Sequence, residues 1–260
     1  MNNEGLYIKL IKENPLYIKN IDKPTEEMKL IAIRKNGLAI KYIKEVTDNL
    51  NREALASNPH AIEYIESPNE ELCVIAVSKA WNTLKYIKNP SNKTISTAIN
   101  KNGSAIKYVS NPTYEMKRQA VEKNYESIEF IKEPEEDIQL IAIKNHWSAI
   151  KFISHPSLAT QIVAIKENEE AISYIDIYDD EAMKLFIIYN IKILKYVYRD
   201  IDLFVVNQAL IEKFSGHIID EIYMKDFMEL EILDIDRIKF IYEYGSKIAK
   251  KLLIDYKLSI

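Results

Sequence analysis

Few side chains in this sequence belong to the types that carry out catalysis or bind metals, and their spacing fits neither task. The histidines are His60, His146, His155 and His217, and no cysteine or carboxylate joins them at the spacing of a metal site. The single cysteine, Cys73, has no accompanying histidine signature, so we expect a buried structural thiol rather than a nucleophile. No phosphate-binding or hydrolase motif is present. The sequence therefore predicts no catalytic residue, no metal and no cofactor, and we do not expect an enzyme.

Large aromatic side chains recur at a position where the fold does not demand them. Trp81, Tyr125 and Trp147 share the second position of a 22-residue repeat, which in other repeats holds Gly, Pro or Glu. Tryptophan and tyrosine are enriched at the hot spots of protein interfaces. Two interpretations stay open: these rings form a binding ridge, or they cover loops and pack on the adjacent repeat.

A second candidate surface lies on the longer helix of the repeat. Two neighbouring positions there accept polar residues in several repeats, so we expect both positions to be partly exposed. In two consecutive repeats they hold Leu140, Ile141, Ile162 and Val163. An exposed apolar patch of this kind marks a contact surface, which would serve a partner, a second copy or a folded-back C-terminal segment.

An aromatic column and a lysine column run along the shorter helical segments. Because aromatic residues at fixed helical spacing normally pack, we expect these rings in the core with only their hydroxyls outside. The aromatic column comprises Tyr42, Tyr64, Tyr86, Tyr108, Phe130, Phe152, Tyr174 and Tyr196. Lysines 41, 85, 107 and 151 are interrupted by Glu63 and Glu129, and this mixed sign favours a solvated face over a phosphate-binding track.

The elements that must position these residues follow from one repeat, residues 24–45. Pro24 and Thr25, followed by two glutamates, predict a helix start, since acidic residues are favoured in the first turn. Asn36 and Gly37 predict its end, because both tolerate a positive φ and let the chain reverse. A shorter helix follows, for which we expect Ala39, Ile40, Tyr42 and Ile43 to face inward, and the next proline limits it.

Neither helix can bury its apolar stripe alone, so neighbouring repeats must stack into one elongated core. We therefore expect an all-α fold, an α-solenoid of about nine to eleven two-helix repeats. The repeat register divides the chain into an N-terminal cap at 1–13, a repeat array at 14–197 and divergent helical repeats with a cap at 198–260. The cap should present a polar outer face.

The repeat pattern resembles two known groups of proteins. The first group is the leucine-rich repeat variant proteins, whose repeat pattern this sequence resembles. The shared pattern is asparagine and proline, two spaced apolar residues, a second proline and then a helix that ends in alanine. The blocks Asn36–Ile43, Asn102–Val109 and, more loosely, His146–Ile153 resemble a bacterial and large-virus repeat family of unknown function. The resemblance covers about residues 14–197, and it implies a stacked helical superhelix without a catalytic residue.

Composition narrows the class of function. A net charge of −4 disfavours a general nucleic-acid binder, and one cysteine favours a reducing compartment, so we expect a cytoplasmic protein. No apolar run reaches the roughly 20 residues of a membrane span, so we expect no membrane association. The bias towards Ile, Lys, Asn and Tyr suggests an AT-rich genome, such as that of a low-GC bacterium, its phage or a large virus.

Together these features predict a non-enzymatic scaffold that binds a partner protein. A phage or viral protein that captures a host factor is a special case of this hypothesis. One alternative is a nucleic-acid-associated α-solenoid that uses the lysine column. The other is a self-assembling array, in which a second copy of the chain is the partner.

Overall fold

The computed structural model describes residues 3–176 and 178–259. Within these ranges every regular element is helical and there is no strand. The chain forms two compact units, Met1–Ile131 and Lys132–Ile260. In each unit α-helices pack on α-helices of neighbouring repeats and 3-10 helices on 3-10 helices, which confirms the predicted all-α solenoid of two-helix repeats. The boundaries predicted from repeat register remain predictions, and residues 1, 2, 177 and 260 of those ranges lie outside the described part.

Unit 1 consists of six pairs, each a ten-residue α-helix followed by a six-residue 3-10 helix, within the residues described from position 3 onward. They are α1 Glu4–Glu13, η1 Pro15–Asn20, α2 Glu26–Lys35, η2 Gly37–Tyr42, α3 Asp48–Ser57, η3 Pro59–Tyr64, α4 Glu70–Lys79, η4 Trp81–Tyr86, α5 Asn92–Lys101, η5 Gly103–Tyr108, α6 Tyr114–Lys123 and η6 Tyr125–Phe130.

Unit 2 continues the pairing and then departs from it. The paired elements are α7 Glu136–Asn145, η7 Trp147–Phe152, α8 Leu158–Glu167, η8 Glu169–Tyr174, α9 Asp180–Tyr189 and η9 Ile191–Ile193. The remaining helices are α10 Leu194–Val197, α11 Leu203–Ser215, α12 Glu221–Glu229, α13 Arg237–Tyr244 and α14 Lys247–Ser259. Helix α11 packs on α9 and α12 packs on η9, so both layers of the repeat are extended by helices that no longer follow its register.

The α-helix starts lie where the repeat predicts them. Thr25 precedes α2, and its hydroxyl accepts a hydrogen bond from the Met28 backbone N–H. Such a cap satisfies one of the backbone donors that the first helical turn leaves free. Among the later α-helices that pair with a 3-10 helix, the residues that form such a cap are Thr47, Asn69, Ser91, Thr113, Ser157 and Asp179.

The asparagine column works differently from the prediction. Asn36 has φ −150° and ψ 103°, an extended conformation, and Gly37 has no positive φ either. The Asn36 side chain instead caps the 3-10 helix that follows, accepting a hydrogen bond of 3.0 Å from the Leu38 N–H. The prediction of a positive-φ helix stop was therefore wrong, because asparagine fits either role and only the backbone decides between them.

Left-handed backbone occurs instead in the turn that leads to the next α-helix. Four non-glycine residues there have φ between 46° and 54°: Glu45, Ser67, Asn89 and Glu133. Since a side chain costs about 1–2 kcal/mol in this conformation, the packing of the two flanking helices must hold the turn in place.

The core follows the two columns of small and branched side chains. The alanines of the long helices are fully buried, which agrees with their predicted place at helix contacts: Ala32, Ala54, Ala76, Ala98, Ala120, Ala142 and Ala164. On the 3-10 helices, Ala39, Ile40 and Ile43 are buried as predicted. The small column lets successive α-helices approach closely, and the isoleucines fill the space between the two layers.

The 3-10 helix η4 has no side-chain cap, and adding an asparagine cap there should stabilise the protein. Ala80 precedes η4 with φ −144° and ψ 101°, the conformation of the asparagines, but no side-chain acceptor is present. We expect Ala80→Asn to raise the free energy of unfolding by about 0.5–1 kcal/mol and Asn102→Ala to lower it by a similar amount. Urea unfolding followed by circular dichroism measures both, and equal shifts of the same sign would contradict the capping role.

Candidate functional site

The predicted ridge residues lie at the first position of a 3-10 helix, and each is half-buried: Trp81 on η4, Tyr125 on η6 and Trp147 on η7. In unit 1 the Trp81 ring lies 6.2 Å from the ring of Tyr108, which belongs to the next repeat. In unit 2 the Trp147 ring lies 6.4 Å from Tyr174, again one repeat further on. Both tryptophans thus pack on the adjacent repeat while keeping part of their surface open, and their role in binding stays a prediction.

The aromatic column is not part of the core. Tyr42 is 41% exposed, Phe130 and Tyr174 also lie on the surface, and Tyr64 and Tyr86 are half-buried. The prediction of buried rings was wrong because it assumed the period of an α-helix. A 3-10 helix has three residues per turn, so residues three apart lie in one row. The isoleucines form the buried row, whereas each ring follows a small residue in another row and extends past the edge of the core.

Lysines lie over these rings and turn the exposed column into a mixed surface. The Lys107 ammonium lies 5.3 Å from the centre of the Trp81 ring, 5.2 Å from Tyr108 and 5.4 Å from Phe130. Lys41 lies 5.1 Å from Tyr64 in the same way. Such cation–π contacts contribute about 0.5–1 kcal/mol each at exposed sites, and they hold the ammonium groups close to the rings.

We call this surface the aromatic–lysine face. In unit 1 it comprises Lys41, Tyr42, Tyr64, Trp81, Lys85, Tyr86, Lys107, Tyr108 and Phe130. Its counterpart in unit 2 comprises Trp147, Lys151 and Tyr174, with the Lys151 ammonium 4.2 Å from the centre of the Tyr174 ring.

The charges on this face do not all have the same sign. The pKa of Lys85 is raised above its ordinary value, chiefly by its interaction with the neighbouring Tyr86 hydroxyl. Glu63 is exposed in the same column, so the sign of the charge alternates along the face. A phosphate track would need a continuous row of free cations, which this pattern does not provide.

Two open grooves run between successive 3-10 helices and share Tyr64 as a wall. One has a volume of about 650 Å³ and lies between Tyr64 and Tyr86, with Glu66 and Lys88 at its rim. The other, about 570 Å³, lies between Tyr64 and Lys41. Both grooves combine at least one tyrosine wall with isoleucine side chains and charges of either sign.

The predicted apolar patch lies on two neighbouring helices of unit 2, with Leu140 and Ile141 on α7 and Ile162 and Val163 on α8. All four side chains are half-buried, because α7 and α8 pack side by side and each covers part of the other. The patch is consequently less open than the aromatic column. The positions of these four side chains do not test whether the patch binds a partner, so its role in binding stays a prediction.

Two of the residues that could have carried chemistry, Cys73 and His146, also have structural contacts. Cys73 is 5% exposed, its sulfur lies 3.7 Å from the Pro68 carbonyl oxygen, and burial raises the pKa of the thiol. His146 caps η7, where its Nδ1 accepts a hydrogen bond of 3.2 Å from the Ser148 N–H. Among residues 3–176 and 178–259, no group of three or more His, Cys, Asp or Glu side chains is placed to hold a metal ion.

Sequence reasoning missed one surface entirely. The C-terminal helices of unit 2 and the connection between α11 and α12 leave large apolar side chains in solvent, although a polar outer face was predicted for this cap. These residues are Leu203, Phe204, Ile218, Ile222, Tyr242, Ile254 and Leu258. The only signal in the sequence was that residues 198–260 keep an apolar spacing without the repeat register.

The fold defines an all-α repeat protein in which α-helices alternate with 3-10 helices over most of the described chain. Comparisons with protein-family models, with curated proteins and with solved structures give no match for this chain. In the described part of the chain, no helix combines the length and the apolar character needed to cross a membrane.

Proposed function

We propose that this chain is a non-enzymatic scaffold that recognises a partner protein through the aromatic–lysine face. The observation that carries the proposal is the partial exposure of this column: its aromatic rings are exposed or half-buried in consecutive repeats, with ammonium groups held over several of them. Aromatic rings that are not buried in the core lower the solubility of a protein, and contiguous exposed rings mark interaction surfaces. Tryptophan and tyrosine are also the side chains that dominate binding energy at protein interfaces.

Membership of a bacterial and large-virus family of 22-residue helical repeats, akin to leucine-rich repeat variant and HEAT-like solenoids, is part of the same proposal. Its support is the repeat motif, together with the alternating pairs of helices. A cytoplasmic phage or viral protein that captures a host factor is the special case that the composition favours, with one cysteine and a bias towards Ile, Lys, Asn and Tyr.

The nucleic-acid alternative predicts a different behaviour from the protein-binding proposal. Affinity that depends on phosphate contacts falls steeply as salt is raised, whereas an aromatic interface depends on salt only weakly. A mobility-shift assay with single- and double-stranded DNA and RNA at two salt concentrations separates the two. Salt-sensitive binding that is lost in Lys107→Ala would favour the nucleic-acid reading.

The partner proposal is tested by affinity capture from a lysate of the source cell, followed by titration of the captured protein. We expect Trp81→Ala to weaken that complex by about 2 kcal/mol, or about thirtyfold in Kd. The free energy of unfolding of the Trp81→Ala chain itself should fall by only about 1–2 kcal/mol, because the ring is half-buried. Removing a fully buried tryptophan typically costs about 3–5 kcal/mol.

Two variants serve as controls for this titration. Trp81→Phe keeps an aromatic ring against Tyr108 and should retain most of the stability. Glu71→Ala removes an exposed partner of Arg52 on the α-helical layer and should leave binding unchanged. If Trp81→Ala loses stability but keeps its affinity for the partner, the aromatic–lysine face is not the binding surface. The better candidate is then the apolar patch of Leu140, Ile141, Ile162 and Val163.

A further inference from the structure

Lysines are concentrated in one part of unit 1, and no acidic residue accompanies them there. Residues 72–114 contain six lysines and no aspartate, glutamate or arginine, although an even spread of the chain's 39 acidic residues would place about six in this stretch. The net charge of the whole chain is −4, so this stretch carries +6 and the remainder carries −10. The stretch includes η4 and η5, so two consecutive 3-10 helices lack acidic side chains.

Three of these lysines lie on the aromatic–lysine face or beside it. Lys107, on η5, holds its ammonium 5.3 Å from the centre of the Trp81 ring on η4, and so joins two neighbouring elements. The Lys85 ammonium lies 4.7 Å from the centre of the Tyr86 ring, and Lys88 lines the same groove as Tyr86. All three lysines are exposed. We call this surface the basic–aromatic patch, and it comprises Trp81, Lys85, Tyr86, Lys88, Lys107 and Tyr108.

The ammonium groups of the basic–aromatic patch have no carboxylate partner within the described part of the chain. Lys93, on α5, differs from them, because its ammonium lies 3.8 Å from a carboxylate oxygen of Glu70. Lys85, Lys88 and Lys107 form no ion pair with any of residues 3–176 and 178–259. Their charges are therefore available to the carboxylates of another molecule.

Acidic residues border the patch on both sides. Glu63 holds the repeat position of Lys85 one repeat earlier, and Glu129 holds that of Lys107 one repeat later. Both glutamates are exposed. A nucleic acid that ran along the face would carry its phosphates past these carboxylates and would be repelled there, and phosphate contacts supply much of its affinity. A short acidic segment of a polypeptide meets only the lysines between the two borders.

We propose that the partner protein presents a short run of aspartate or glutamate residues to the basic–aromatic patch. This inference rests on the proposed function and adds the chemistry of the partner. Lysines that are already held over rings lose less side-chain freedom on binding a carboxylate than free surface lysines do, which strengthens each contact. The carbon chains of the acidic residues then lie against the rings of the patch.

Fluorescence anisotropy with a labelled hexaglutamate peptide and the full chain tests the patch. Binding should saturate, and Lys85→Glu and Lys107→Glu should each weaken it by about fivefold or more, because an attractive contact becomes a repulsive one. Both lysines are exposed, so circular dichroism should show the same helical content in both variants. Absence of saturable binding, or full affinity in both variants, refutes the proposal.

Lys19→Glu is the matched control for these substitutions. Lys19 is exposed and holds the repeat position of Lys85 on the first 3-10 helix, η1. Three repeats separate the two lysines, about 24–30 Å at a helix-packing distance of about 8–10 Å per repeat. Because the Debye length is about 10 Å at 0.1 M salt, Lys19→Glu should change the Kd by less than about twofold. An equal loss in Lys19→Glu and Lys85→Glu would show that only the net charge matters and would overturn the proposal.

The acidic borders and the nucleic-acid alternative are tested in the same assay. Glu63→Gln and Glu129→Gln should each strengthen hexaglutamate binding by about two- to threefold, since each removes a repulsive charge. Hexathymidylate carries a similar charge and should bind more weakly than hexaglutamate. If hexathymidylate binds more tightly and loses affinity in Lys107→Glu, the patch takes a nucleic acid and the acidic segment is refuted.

The complex with the captured partner separates this inference from the proposed function. If Trp81→Ala weakens that complex but Lys85→Glu and Lys107→Glu do not, the aromatic–lysine face binds the partner and the acidic segment is refuted. If the lysine variants weaken the complex and hexaglutamate competes with the partner, the acidic segment is supported. If Trp81→Ala then has no effect, the lysines bind the partner without the tryptophan ring, and it is the proposed role of the aromatic column that fails.

Discussion

Replacing Gly103 by alanine is expected to lower the free energy of unfolding by about 3 kcal/mol, at the upper end of the range for overpacking. A Cβ at this position would overlap the Ala120 carbonyl oxygen and would lie 2.6 Å from the Ser127 Oγ. The carbonyl belongs to the backbone of the following repeat and cannot turn aside. The two repeats must therefore move apart, and packing is lost on both layers.

Gly5→Ala is the control for this substitution. A Cβ placed on Gly5, in the first turn of α1, meets no heavy atom within 4 Å other than those of its chain neighbours and its own helix backbone. We expect the stability to remain unchanged or to rise by up to about 1 kcal/mol, since alanine restricts the unfolded chain. Urea unfolding followed by circular dichroism compares the two variants. Similar midpoints would show that the repeats can separate at Gly103 without cost.

The glycine result also qualifies an inference from the sequence. The second repeat position was interpreted as one where the fold accepts almost any residue, because it holds Trp81 in one repeat and Gly103 in the next. The structure shows that Gly103 is buried against the following repeat, whereas Trp81 is half-buried and reaches across to Tyr108. Neighbouring repeats pack around whichever residue occupies this second position. The variety of residues found there in different repeats therefore does not mean that any one repeat accepts a substitution at this position.

The repeat fold itself could be predicted because its signals are redundant. An alanine column, a capping residue such as Thr25 and an apolar row recur in consecutive repeats, so an error at one position does not change the architecture. The all-helical stack and the buried alanines were obtained in this way.

The exposure of the aromatic column could not be predicted from the same regularity. An α-helix and a 3-10 helix differ by only 20° per residue, and six residues are too few for the apolar pattern to separate them. With the α-helical period, Tyr42 falls near the buried arc, whereas the structure leaves 41% of it exposed. The lysine contacts were missed for the same reason, since the rings were assigned to the core.

The C-terminal helices could not be assigned because their contacts are not repeated along the sequence. Phe214, Phe227 and Phe240 come from α11, α12 and α13, at spacings unrelated to the repeat, yet they meet in one cluster. Only the tertiary structure shows which aromatic residues of this segment are inside and which, like Tyr242, are left in solvent.

This cluster carries the second large expected effect. Phe214→Ala should lower the free energy of unfolding by about 3–5 kcal/mol, as for other buried aromatic residues. The Phe214 ring is fully buried, lies 4.6 Å from the Phe227 ring and 6.0 Å from the Phe240 ring, and its removal leaves a cavity at the junction of three helices. The loss should appear as reduced hydrogen-exchange protection across α11–α14.

Phe204→Ala makes the comparison specific, because Phe204 lies on the same helix, α11, but is 66% exposed. Both substitutions remove the same atoms from the same helix, so the difference between them measures burial alone. We expect the Phe204 variant to lose less than about 1 kcal/mol, as most surface changes do. If the two variants lose equal stability, Phe204 packs in solution and the exposed apolar face of these helices is smaller than the structure shows. If only Phe214→Ala is unstable, the aromatic cluster holds the C-terminal helices, and the side chains they leave in solvent are free to serve an interface.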